Sequence, residues 1–497
     1  MLAGSGGSQI LLRAACASLL NFPPKRPPVG YRLVPDLAVG QPRISNGART
    51  YTFTIRRGRR FGVTGKFVTP RDVAQTFNRA LDPRFKLPNG DLTQLAGTLS
   101  DIKGADAVLA DRARRAKGVV VRGRKVILRL ASFDHPYFLQ AAATLCILPA
   151  GLPVDPEGAR APLRTAGPYT ITAYSPGRSI TLRRNRFYSG PFPARVERIV
   201  ARLTDEGSIV DRVRRGEFEW GAVTSRFLAD KARELESRYG INKGRFFVTR
   251  GTFLRLLVLN ASRPLFDDNA PLRQAVNNAV DRRALVEARG YRAGNLTDQY
   301  LPPSFPGFTD AHIYRLRRPN LTEARRLAKG HTRRRKVVFY GPDNAVGKAT
   351  GEILARNLAA IGLDVEAKYW SAPDPLFRKL RTRGEPFDIG YVGWSSVPDP
   401  SLLSFLFHGR GIGREGYGNW SYFNSPRFNR ALERAAGLTG PARYRAYGAL
   451  DVELAHDAAP AVAFAYDNAM TIVGPRVPRR CVVLTPGFDI LAACLKR

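Results

Sequence analysis

Residues 51–83 read Y-T-F-T-I-R-R-G-R-R-F-G-V-T-G-K-F-V-T-P-R-D-V-A-Q-T-F-N-R-A-L-D-P. Tyr51, Phe53 and Ile55 alternate with Thr50, Thr52 and Thr54. That is the period of two by which a strand buries one face, and Arg57-Gly58 ends the run. Thr69-Pro70-Arg71-Asp72 then predicts a helix start. The Thr69 oxygen can accept a backbone N–H, Pro70 lacks one where it would go unpaired, and Asp72 can reach back to the cap. Val73, Phe77, Ala80 and Leu81 form one apolar stripe along that helix.

Further on, V-V-V-R-G-R-K-V-I-L-R-L from Val119 to Leu130 predicts a hairpin turning at Gly123. Ala166-Gly167-Pro168-Tyr169 opens a second hairpin that runs to Asn185. Its Ser175-Pro176-Gly177-Arg178 suits a type II turn, with Pro176 fixing φ and Gly177 supplying the positive φ. Leu254 to Asn260 reads as a strand, followed by caps at Asp267-Asp268-Asn269 and a helix with Pro271 in its first turn. Leu272, Ala275, Val276, Ala279 and Val280 make its buried stripe. A strand at 337–340, a helix at 345–361 and a strand at 363–369 give the β-α-β order of a parallel sheet. A strand at 388–394 enters a loop, helices follow at 425–436 and 442–457, and 461–465 leads back. The chain has no internal repeat and no low-complexity linker.

The strand, basic turn, capped helix and Leu81-Asp82-Pro83 ending resemble the family 5 solute-binding proteins, the extracytoplasmic receptors of peptide and nickel ABC importers. The Gly167-to-Asn185 hairpin and P-L-R-Q-A-V-N-N-A-V-D-R-R-A-L-V from Pro271 to Val286 extend the resemblance along nearly the whole chain. It implies an α/β, two-lobed periplasmic-binding-protein-like fold of type II, with an extra subdomain and mixed sheets flanked by helices. A length of 497 residues agrees, being more than one core usually serves. The expected division is lobe I with the extra subdomain over 1–250, lobe II over 251–468, and a tail over 469–497 returning to lobe I. The resemblance implies capture of a peptide or similar small solute in the inter-lobe cleft and delivery to an ABC permease. It implies a monomer that needs no cofactor and performs no reaction.

The net charge is +38, from 79 Lys and Arg against 41 Asp and Glu. A basic nucleic-acid or anionic-polymer binder is therefore the alternative function. The arginines are scattered, however, and the densest runs, Arg112 to Lys117 and Arg333 to Lys336, are short and carry no aromatic for base stacking. That patterning argues against specific nucleic-acid binding and fits weak attraction to an anionic membrane or wall surface.

The four cysteines, Cys16, Cys146, Cys481 and Cys494, can pair in three ways, and none stands in a C-x-x-C or zinc-ligand spacing. An even count in a receptor-like chain favours disulfides and an oxidising compartment. The expected pairs are Cys481 with Cys494, tying the C-terminal segment, and Cys16 with Cys146, tying an N-terminal helix to the first lobe. Four buried free thiols are the alternative. No run approaches the eighteen or so apolar residues of a membrane span, and the N-terminus lacks the regions of a signal peptide. Family members carry an export signal and a first strand before the helix that Ile10 to Leu20 represents. The chain thus reads as an extracytoplasmic protein truncated at its start or begun at a late start codon.

Signals for catalysis are weak. Gly341 to Thr350, G-P-D-N-A-V-G-K-A-T, has five residues between its glycines where a P-loop has four, and Ala349 stands where the magnesium-binding hydroxyl should be. Gly393-Trp394-Ser395-Ser396-Val397 lacks the second glycine of a nucleophile elbow. A hydrolase acting through Ser395 or Ser396 would also need a histidine backed by an acid. His135, His312, His331, His408 and His456 are widely spread and read as surface or loop residues. Asp267-Asp268 reads as a helix cap. Neither a catalytic residue nor a metal ligand is assigned.

A recognition surface remains. D-I-G-Y-V-G-W-S-S-V-P-D-P from Asp388 to Pro400 resembles the family's strand, Gly-Trp, short polar loop and Pro-Asp-Pro. In peptide-binding members this loop lines the cavity, and an aspartate after the tryptophan pairs with the ligand's amino group. Here that position is Val397 or is deleted, because the loop is one residue short. The implied ligand-binding residues are Trp394, Ser395, Ser396, Val397 and Asp399, the last matching the aspartate that stabilises the loop. Without the amine partner, a buried ammonium would cost several kcal/mol, which makes a capped, modified or non-peptide ligand credible. Trp394 offers a ligand an apolar wall or a cation–π face, or else fills the lobe interior. A second departure, G-V-T-G-K-F between Phe61 and Val68 in place of the family's Asp-Gly, reads as a local change.

Overall fold

Tyr51 and Phe53 of the strand Thr50–Thr54 are fully buried while its threonines are half exposed, as the alternation requires. The strand pairs antiparallel with Arg43–Ser45 and with Lys125–Arg129, and Val119–Arg122 completes a four-stranded sheet. The last two strands form the expected hairpin, with Gly123 at φ +54°. The buried face, Tyr51, Phe53, Val126 and Leu128, packs against Val73 and Phe77 of the helix Pro70–Ala80 and against Leu81, which follows it. That helix begins in a capping box: Thr69 Oγ1 lies 3.3 Å from the Asp72 N–H, and Asp72 Oδ2 accepts the Thr69 N–H at 2.8 Å.

The computed structural model describes residues 6–85, 94–131, 138–154, 161–223, 229–332, 335–372, 375–395, 399–414, 417–438, 440–484 and 489–496. The chain forms two compact units, one of Met1–Gly221 with Ile472–Arg497 and one of Ala222–Thr471.

The first unit contains, besides the sheet above, a three-stranded antiparallel sheet of Tyr169–Ser175, Ser179–Arg184 and Arg198–Arg202. Gly177, at φ +68°, turns its hairpin. Tyr169, Ile171 and Leu182 pack with Ala14, Ala15, Leu163 and Leu491 in a second small core. Disulfides join Cys16 to Cys146 and Cys481 to Cys494.

The second unit is built on a mixed sheet in which Ala461–Val473, Phe246–Leu259, Ile389–Ser395, Lys336–Pro342 and Asp364–Trp370 run side by side. Lys336–Pro342 is parallel to both its neighbours, with the helix Ala345–Ala359 as crossover, while Phe246–Leu259 is antiparallel to Ile389–Ser395. Phe246–Leu259 is longer than the strand expected from Leu254. Gly251, inside this strand, serves a close approach: a Cβ there would fall 2.5 Å from the Asp467 carbonyl oxygen.

One face of this sheet, carrying Leu257, Leu259, Phe339, Ile389 and Tyr391, packs under Leu272, Ala275 and Val276 of the helix Ala270–Ala279 and under Leu354 and Leu358 of Ala345–Ala359. Asn269 caps the former helix through the Leu272 N–H. Two buried arginines tie this layer together through carbonyls. Arg273 donates to Ala458 O at 2.8 Å, and Arg282 donates to Ala463 O at 2.9 Å and to Asn277 O at 2.7 Å. The helix Gly440–Glu453 runs into a π-helical turn, Leu454–Ala458, and Ala459 at φ +45° reverses the chain into Ala461–Val473. Among the described residues, no helix is long and apolar enough to cross a membrane.

Candidate ligand-binding site

Successive side chains of a strand point to opposite faces of the sheet, so Ile389–Ser395 contributes to two environments. Ile389 and Tyr391 face the helix layer, whereas Gly390, Val392 and Trp394 face the other way, opposite Val258, Leu256 and Leu254. Glycine at 390 leaves room for the helix Leu376–Arg381, since a Cβ would lie 2.6 Å from a Leu380 methyl, which would have to shift.

Trp394, half buried, meets three other rings. Trp420 lies at 4.6 Å between centroids, Phe405 at 5.0 Å and nearly perpendicular, and Phe377 at 6.3 Å and stacked. Phe405, on the helix Leu402–Phe407, and Trp420 are almost fully buried, while Phe377, on Leu376–Arg381, is half buried like Trp394. The inner side of the indole is therefore packed, and its partly open rim belongs to Trp394 and Phe377. The indole N–H groups of Trp394 and Trp420 are both buried and have no hydrogen-bond acceptor among the described residues. An unpaired buried donor is costly, and ring faces compensate it only weakly. A partly open aromatic rim can hold an apolar or cationic group of a solute by stacking.

Asp399 lies just beyond this strand. Its Oδ1 accepts the Ser401 N–H at 2.9 Å and an Arg443 N–H at 3.0 Å, in a buried ion pair. The Arg443 guanidinium lies 4.9 Å from the Tyr447 ring centre, and the Tyr447 hydroxyl lies 3.1 Å from Ser404 Oγ. This network anchors the loop end to the helices Leu402–Phe407 and Gly440–Glu453. Ser395 ends the strand, and Ser396 and Val397 lie outside the described residues.

The remaining motifs prove structural. Gly341-Pro342 continues a strand, and Asn344 caps the next helix through the Gly347 N–H at 3.1 Å. At Gly347 a Cβ would collide with the Pro342 carbonyl, so this glycine serves packing. In the 61–68 segment the Phe61 N–H bonds Lys66 O at 2.8 Å and Gly65 takes φ +65°, a closed turn.

His408, expected as a surface or loop residue, does lie in the connection after Leu402–Phe407 but is almost fully buried there. Its Nδ1 accepts the Arg410 N–H at 3.2 Å, and Nε2 lies 3.3 Å from Glu433 Oε1. A neutral ring protonated at Nε2 satisfies both contacts, and burial lowers its pKa accordingly. His135 lies outside the described residues, while His312, His331 and His456 are exposed.

Sequence reasoning missed Phe377, Phe405, Trp420 and Arg443, whose roles depend on contacts distant in sequence. It also missed Asp451, a fully buried carboxylate whose pKa burial pushes up to about 7. This happens despite N–H bonds from Tyr300 at 2.9 Å, Leu301 at 3.1 Å and Gln299 at 3.0 Å.

Residues 32–413 match the family model described as bacterial extracellular solute-binding proteins, family 5 middle. Protein XP55 of Streptomyces lividans is 27% identical over 460 residues, which cover 87% of this chain and 76% of that protein. The oligopeptide-binding protein OppA of Bacillus subtilis is 24% identical over 420 residues, 79% of this chain and 72% of its own. Among solved structures, clavulanic acid biosynthesis oligopeptide binding protein 2 superposes with a TM-score of 0.80 at 23% identity, over 99% of this chain and 91% of that one. The mixed α/β architecture of this family is thus present from end to end. With its family model matched across most of its length, the chain belongs to the bacterial extracellular solute-binding proteins, family 5.

Proposed function

We propose that this protein is the extracytoplasmic substrate-binding component of an ABC importer, capturing a peptide or similar small solute and passing it unchanged to a membrane permease. Its family and the name of the OppA relative support that role. The observation that carries the placement is the half-buried Trp394 at the rim of an otherwise packed ring cluster. In this reading Trp394 and Phe377 touch the solute together with Ser395, Ser396 and Val397, and Asp399 fixes the chain just beyond them through Arg443. The two compact units act as the two lobes, and the protein works as a monomer, without cofactor, chemistry or sequence-specific nucleic-acid binding.

The segment after Trp394 supplies no aspartate before Pro398. The preferred solute therefore carries no free ammonium at that end, as in an N-blocked or modified peptide or a non-peptide solute. Calorimetry with one short peptide series, free and N-acetylated, tests this. The acetylated member should bind at least as tightly as the free one, and a strong preference for the free amine would refute the assignment. Replacing Trp394 with Ala should weaken whichever member binds by tenfold or more, about 1.4 kcal/mol, with the fold retained.

A further inference from the structure

In the closed turn at 59–68, neighbouring arginines go opposite ways. Arg60 is exposed, with its guanidinium 4.1 Å from the ring centre of the exposed Phe67 and its Nη1 donating to Gly65 O at 3.1 Å. Arg59 is buried like Phe61, with only 8% of the residue exposed. Its carbonyl accepts the Val68 N–H at 2.9 Å, but its guanidinium has neither an acceptor nor a carboxylate partner among the described residues, and Nε is sealed from solvent. A buried cation left so is costly.

Two other buried groups belong to the same cluster. Asp36, 1% exposed, acts on Arg59 electrostatically without forming an ion pair with it. Its Oδ2 accepts the Ser18 N–H and an Asn21 side-chain N–H, both at 3.3 Å, while Oδ1 has no donor among the described residues. Arg56 acts on the same carboxylate, yet its donors go to the carbonyls of Asp36, Ala38 and Val39, each at 3.3 Å. Two guanidinium groups against one carboxylate leave a net positive charge. Tyr188 sets its ring centre 6.0 Å from the Arg59 guanidinium, and its hydroxyl accepts the Phe192 N–H at 3.3 Å, which leaves its own proton free to be donated. Burial raises the pKa of that hydroxyl, so the proton stays. Water would solvate such a cluster but leave its charge uncancelled, whereas the planar fork of a guanidinium matches two oxygens of an oxoanion.

We propose that the niche at Arg59, beside Asp36 and Tyr188, binds a small oxoanion, a phosphate, sulfate or carboxylate group, through the Arg59 guanidinium with the Tyr188 hydroxyl as a further donor. Asp36 opposes the anion by its own charge and so sets how tightly it is held. The site lies in the first unit and does not depend on the reading of Trp394, which lies in the second.

Calorimetric titration of the full chain near neutral pH with sulfate, phosphate and acetate, in a buffer holding no other oxoanion, tests it. At least one of the three should bind saturably. Sulfate or phosphate ahead of acetate would mark a tetrahedral ligand group, and acetate ahead a carboxylate one. Arg59→Met, which keeps the length of the side chain, should weaken that binding about tenfold to a hundredfold. Without anion the same variant should be at least as stable as the wild type, because it removes an uncompensated buried charge. Arg57→Gln, which removes an exposed charge two residues away, should leave binding little changed. Should Arg59→Met fail to fold, Asp36→Asn decides: tighter anion binding supports the site, and unchanged or weaker binding overturns it. The absence of saturable binding by all three ions would also overturn the proposal. So would equal binding by wild type and Arg59→Met, or equal losses in Arg59→Met and Arg57→Gln, which would mean that only the net charge of the chain matters.

Discussion

The two faces of the strand Ile389–Ser395 differ in what they leave unfinished. Toward the helices, Ile389 and Tyr391 join a continuous core closed by capped helices and by arginines that saturate stray carbonyls. On the other side, Trp394 is packed by rings within but keeps a partly open rim and an N–H unpaired among the described residues. Alternation along a single strand thus assigns odd-numbered positions to the closed core and leaves a partly open ring at an even one, the position proposed for recognition. The anchor of Asp399 and Arg443 lies beyond the strand end and holds its loop in place.

Breaking that anchor should cost most. Asp399→Ala removes the counter-charge from a buried guanidinium and should destabilise the protein by about 3–5 kcal/mol in denaturant titration. The double change Asp399→Leu, Arg443→Met should recover much of that loss, because a buried pair is often replaceable by packed apolar groups. A double variant as unstable as the single one would show that the anchor does more than neutralise itself.

Leu257→Ala, on the closed face, should cost about 3 kcal/mol by cavity formation. Trp394→Ala, on the open face, should cost roughly half as much while weakening solute binding tenfold or more. Equal stability losses at the two positions would erase the distinction between the faces.

A third expected effect concerns pH. The Asp451 carboxyl holds its proton in the folded state up to about pH 7, against an ordinary value of 3.8. Below pH about 4 it is protonated in both states and costs nothing. As pH rises from there through about 7, the unfolded chain ionises more readily than the folded one, so stability falls, by a few kcal/mol in all. Asp36, in the first unit, is pushed up to about 6 by burial and acts with the same sign. Thermal unfolding across pH 5–8 should show this decline, and Asp451→Asn should flatten it to the part owed to Asp36. The variant should also be less stable overall, because its amide would set a donor against Gln299. An unchanged pH slope would remove Asp451 from the account.

What the sequence revealed depended on the range of the interactions. The strand at Thr50–Thr54, the capping box at Thr69 and the glycine turns at 123 and 177 are decided within a few residues, and each was legible. The family's Gly-Trp loop pointed to Trp394, but nothing local announced Phe377, Phe405 or Trp420, which three separate segments bring against it. The strand Arg198–Arg202 escaped notice because Val200 occupies a solvent-facing place that the alternation would give to a polar residue. The loop place of His408 was legible, but its burial was not, because that comes from segments that pack around the loop.

The central claim is that the open face at Trp394 holds a dissolved solute. Native mass spectrometry of the protein purified from its own host, wild type beside Trp394→Ala, measures this directly. The account predicts a small-molecule adduct on the wild type that the folded variant lacks, whereas the same adduct at the same occupancy on both would contradict it.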